Sequence, residues 1–70
     1  MTSIIRETLT NELELEVLGT KAKRELKKAL VKVFGKEHGE YLADYGMVNT
    51  GNSAYIVLRE QEAIEVRNAL

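Results

Sequence analysis

Apolar residues recur along this chain with two different periods, and the switches between them mark out its elements. In residues 12–18 Leu13, Leu15 and Val17 alternate with Glu12, Glu14 and Glu16, the two-residue period of a strand with one buried and one wet face. Glu and Leu are good helix formers. Coiled as a helix, however, this stretch together with Ile4, Ile5 and Leu9 scatters its apolar groups around most of the cylinder, and only Ile5, Leu9, Leu13 and Val17 keep an i+4 row. An extended segment is therefore expected. Residues 3–10 read either as a helical turn begun by Ser3 or as the first part of the same strand.

From Thr20 to Phe34 the period changes. At about 100° per residue, Ala22, Leu26, Ala29, Leu30, Val33 and Phe34 fall on one side, while Lys21, Arg24, Lys28 and Lys32 fall opposite. Lys23 and Lys27 take a flank, and Val31 is the one apolar residue out of place. Thr20 is a competent N-cap, and Gly35 or Gly39 can stop the helix. Lys21, Lys23 and Arg24 stand at the positive end of the helix dipole, each costing a few tenths of a kcal/mol. Packing must therefore hold this helix.

Downstream, residues 45–49 and 54–59 are short runs with β-branched and aromatic members, separated by Thr50, Gly51, Asn52 and Ser53. Gly51 can take positive φ and Asn52 tolerates it, which predicts a hairpin. The second run sends Tyr55 and Val57 to one face and Ala54, Ile56 and Leu58 to the other. From Glu60 to Leu70 a helical pattern returns, with Ala63, Val66, Arg67 and Leu70 on one face. The expected fold is α+β: a single small two-layer domain over residues 1–70, in the order β-α-β-β-α, with a three-stranded mixed sheet and both helices on one face. A right-handed crossover through the basic helix would set the first strand parallel to a hairpin strand. Such a sheet leaves an edge and a face uncovered, where a partner or a second copy could dock.

Length and composition narrow this picture. Seventy residues, 44% of them apolar, suffice for one thin core. The formal charge of −1 hides a segregation: residues 1–19 sum to −3, residues 20–38 to +5 and residues 39–70 to −3. There is no cysteine, which excludes a disulfide framework, a thiolate zinc site and a Cys nucleophile, and fits a cytoplasmic location. No apolar run approaches the ~18 residues of a membrane span, and early charges speak against a signal peptide.

Few residues carry recognisable chemistry. His38 lies near Glu37, Glu40 and Asp44, but the spacing matches no zinc or calcium motif, so no metal or other cofactor is expected. Ser53, His38 and Asp44 can be written as a triad, yet no nucleophile elbow surrounds the serine. Gly46 and Gly51 do not open a phosphate loop. A non-enzymatic binding or regulatory module is the expectation, with another protein as partner. The surface expected to do this comprises Glu12, Glu14, Glu16, Tyr55 and Val57 on the exposed sheet and Tyr41, Tyr45 and Met47 in the loop of residues 41–49. The alternative is nucleic-acid binding through Lys21, Arg24, Lys28 and Lys32, spaced three and four apart along the basic helix.

Overall fold

The structure is a computed structural model that describes residues 3–8 and 11–70. Its elements are β1 (Ser3–Glu7), β2 (Glu12–Leu18), α1 (Ala22–Phe34), α2 (Lys36–Tyr45), β3 (Val48–Asn49), β4 (Ser53–Arg59) and α3 (Glu60–Asn68). The fold is α+β, with three helices and a four-stranded sheet in the order β1-β2-β4-β3 that is antiparallel throughout.

The acidic Leu-rich segment is extended, as its alternation requires. Leu15 and Val17 are fully buried, Leu13 packs against them, and Glu14 and Glu16 point to the other face. Residues 3–7 depart from both expectations, since they form a separate strand paired antiparallel with β2. Ile5 faces inward opposite Leu15, and Arg6 faces outward opposite Glu14. Leu9, which shares an i+4 row with Ile5 in the sequence, lies outside the described residues.

Three strands in a mixed sheet are thus corrected to four in an antiparallel one. β3 does run in the same direction as β2, but β4 turns back into the space between them. The reason is packing: β4 sets Ala54, Ile56 and Leu58 opposite Val17, Leu15 and Leu13, whereas β3 is two exposed residues that could cover nothing. Residues 45–47, expected in the strand, are not in it. Tyr45 ends α2, and the N–H groups of Gly46 and Met47 both donate to the Leu42 carbonyl, 2.8 and 3.0 Å away. Beyond β3 the turn follows expectation. Gly51 has φ +90°, its N–H donates to Asn49 Oδ1, and Ser53 N–H donates to Thr50 Oγ1.

Helix α1 buries Ala22, Leu26, Ala29 and Leu30 and half-buries Val33 and Phe34, the face its periodicity marks out. It begins at Ala22 with no side-chain cap, so Thr20 does not serve as one; Ala22 N–H instead donates to the Gly19 carbonyl. Gly35 ends it with φ +90°, a conformation in which Cβ would be strained.

The second departure is α2, a helix where a polar loop was expected, which raises the count from two helices to three. It has no broad apolar stripe and carries a glycine mid-helix, worth about 1 kcal/mol against helix formation. Gly39 and Ala43, one turn apart, are its buried residues. A Cβ on Gly39 would stand 2.5 Å from Val31 Cα, so the two helices meet backbone to backbone. α2 meets Val31 at its backbone, while the Val31 side chain is half-buried beside the cations of α1. On α3, Ala63 and Val66 complete the core and Arg67 stays exposed.

Candidate functional site

With α1 and α3 on one face of the sheet, the other face is left open. Cross-strand registry arranges it in rows. One row runs Ile4, Glu16, Tyr55, Val48, and the next Arg6, Glu14, Val57, with Glu12 opposite Arg59 beyond it. Its β3–β4 side is apolar, for Val48 and Val57 are exposed and Tyr55 is half-buried between Glu16 and Val48. Leu18, at the end of β2, is exposed as well.

The β1–β2 side is a closed polar network. Arg6 Nη1 donates to Glu14 Oε2 at 3.0 Å and to Glu16 Oε1 at 2.8 Å. Ser53 Oγ donates to the second oxygen of Glu16 at 3.0 Å. The Arg6 guanidinium, helped by the Ser53 hydroxyl, holds the Glu16 carboxyl below its ordinary range, and the two carboxylates push Arg6 upward. Both shifts favour the charged forms already present. The network therefore holds Arg6 and Glu16 as an ion pair on this face.

Five of the expected partner-binding residues, Glu12, Glu14, Glu16, Tyr55 and Val57, therefore share one surface. The other three do not join them. Tyr41 and Tyr45 stand on α2 in the helical layer, exposed, with ring centroids 5.0 Å apart; Met47 packs against the core. The docking edge also moves. β2 is flanked on both sides, so the free edges belong to β1 and β3. The sequence signal for this was the pair of β-branched residues Ile4 and Ile5, to which a hairpin partner could have been assigned.

The alternative residues Lys21, Arg24, Lys28 and Lys32 are all exposed on α1. Arg24, Lys27, Lys28 and Lys32 line, with Val31, a shallow depression of about 360 Å³. Among the described residues the ion pairs formed are those of Arg6, so none of these cations has a carboxylate partner. At the corner between α1 and α2 a second depression, about 510 Å³, is lined by Phe34, Gly35, Lys36, Glu37, His38 and Tyr41. There His38 stacks on Phe34 with centroids 5.2 Å apart.

Neither constellation of chemical residues assembles. Ser53 is engaged with Glu16 on the sheet face while His38 stands on α2, and among the described residues no three His, Asp or Glu side chains converge as a metal site. No described helix is long and apolar enough to cross a membrane. Comparison with known proteins yields no match to a family, to a characterised protein or to a solved structure.

Proposed function

We propose that this chain is a small non-enzymatic module of the cytoplasm that binds a protein partner on its open sheet face, either occluding that partner or helping to assemble it. The carrying observation is the arrangement of this face: exposed Val48 and Val57 flank Tyr55 beside the locked Arg6, Glu14 and Glu16 network. A rigid aromatic and aliphatic patch bordered by satisfied polar groups is the composition of an interface core with its rim. The partner chemistry that fits is an apolar segment laid over Val48, Tyr55 and Val57. An extended segment seated there borders the free β3 edge, where main-chain hydrogen bonds can add to the contact.

The test places a photo-crosslinking amino acid at Val57, and at Lys28 as control, in extract of the cells that make the protein. Any captured chain is then purified and titrated against the parent protein and Val57→Arg. Protein adducts are expected from position 57, with binding weakened at least about tenfold in Val57→Arg. An adduct with a second copy of this chain, together with a dimer by light scattering, would identify the partner as the protein itself. Unchanged affinity in Val57→Arg overturns the proposal.

A further inference from the structure

We propose that the helical layer is a second, separate binding surface, which takes single-stranded nucleic acid with its phosphates along α1 and its bases over the rings of α2. Seven cations, Lys21, Lys23, Arg24, Lys27, Lys28, Lys32 and Lys36, lie exposed on α1 and its two ends. No ion pair among the described residues neutralises any of them. The acidic groups of β2 that offset them in the net charge are turned to the opposite face of the sheet, where Arg6 engages Glu14 and Glu16.

Placement of the cations works against the helix that carries them. Lys21, Lys23 and Arg24 crowd its positive end with Glu25 as the acid of its first turn, so they oppose the dipole. The packing of Ala22, Leu26, Ala29 and Leu30 offsets this cost, but the helix gains nothing from the cations at its start, which points to a role outside the fold. Arg24, Lys28 and Lys32 recur every four residues, about 6 Å along the axis, a repeat close to that of phosphates in an extended strand. They rim the depression floored by Val31 and their own aliphatic stems.

At the far end of this row the chemistry changes from charge to rings. Lys32 is in the last turn of α1, and Lys36 lines the corner depression with Phe34, His38 and Tyr41. Tyr41 and Tyr45 continue along α2 as a second ring pair. Tyr41 is 59% exposed and Tyr45 79% exposed, so both can receive a base. Glu37, in the same depression, and Glu40 and Asp44, further along α2, repel phosphates. That divides the labour, with attraction of the backbone on α1 and stacking on α2. Cationic tracks joined to aromatic platforms are how single strands are held without sequence readout. A duplex keeps its bases stacked and could use only the cations.

The experiment measures fluorescence anisotropy of a labelled oligothymidylate of about a dozen nucleotides, and of a duplex of equal length, with the full chain from about 20 to 200 mM salt. The single strand is expected to bind more tightly than the duplex. Its log K should fall with log salt at a slope near −2, about −0.7 for each of three phosphate contacts. Lys28→Gln with Lys32→Gln should flatten that slope toward about −0.7. Tyr41→Ala should weaken single-strand binding by about fivefold or more at unchanged slope, while Tyr41→Phe and Val57→Arg bind as the parent does. Absence of binding at the lowest salt overturns the proposal. So does equal affinity for duplex and single strand, or indifference to Tyr41→Ala in a variant whose circular dichroism is that of the parent. Because Val57 lies on the other face, failure here leaves the sheet-face reading standing, and the reverse holds.

Discussion

Replacing Gly39 by alanine tests the packing on which the helical layer depends, because two effects of opposite sign compete there. Mid-helix, Gly→Ala ordinarily stabilises by about 1 kcal/mol through backbone entropy and solvation. Here the added Cβ would stand 2.5 Å from Val31 Cα, 2.7 Å from Val31 N and 2.8 Å from the Leu30 carbonyl carbon. Carbon atoms at rest are separated by about 3.5–4.0 Å, so α2 must retreat from α1 by about 1 Å. The atoms it meets are helix backbone and cannot turn aside. Overpacking costs about 1–3 kcal/mol, and three backbone contacts under 3.0 Å put this one in the upper part of that range, so against about 1 kcal/mol of propensity gain the net loss is about 1–2 kcal/mol. For a chain of this size a loss of 1 kcal/mol lowers Tm by about 4–8 °C, and it is a large part of the ~3–5 kcal/mol that one small core supplies. Urea and thermal unfolding of Gly39→Ala beside Asp44→Ala, an exposed position on the same helix, give the comparison. Asp44→Ala should stay within about 0.5 kcal/mol of the parent. A Gly39→Ala protein as stable as the parent, or more so, would refute the close approach of the two helices.

Three further outcomes are expected. Leu15→Ala empties the centre of the core, where Leu15 is fully buried opposite Ile56; at about 2–5 kcal/mol it should abolish cooperative unfolding in calorimetry. Glu16, whose carboxyl is held below its ordinary value by Arg6 and Ser53, contributes stability that is present above the ordinary glutamate range and is lost as pH falls through its lowered native value. Carboxyl carbon shifts followed by NMR should show that depressed titration, and Arg6→Gln should move it upward and flatten the acid limb of Tm against pH. Val57→Arg, on the exposed face, should change stability by no more than about 0.5 kcal/mol, so that any loss of partner binding reports on the surface and not on the fold.

Much of the candidate site was legible because alternation assigns side chains to faces without reference to partners. Once residues 12–18 are extended, Glu12, Glu14 and Glu16 must share a side. The same period in residues 54–59 puts Tyr55 and Val57 together. That these two sets are one surface followed only from the pairing of β2 with β4. Tyr41 and Tyr45 join that surface in the sequence only as residue types enriched at interfaces, and α2 carries them to the other layer instead. No pattern of large apolar residues announced that helix, since it is held by what Gly39 lacks, a side chain between two backbones.

Local periodicity by itself determined the inward faces of β2, β4, α1 and α3, the turn at Gly51 and the cationic back of α1, because each depends on residues within two turns or a few pleats of one another. Tertiary structure decided the remainder: that β1 covers one side of β2 and β4 the other, that the sheet is antiparallel, that α2 exists, and that the carboxylates of β2 and the lysines of α1 are sent to opposite faces. These outcomes rest on contacts across strand pairs, Arg6 with Glu16 ten residues apart and, much further apart in the chain, Leu15 with Ile56 and Ser53 with Glu16. Their energies are earned only after the loops between them have closed.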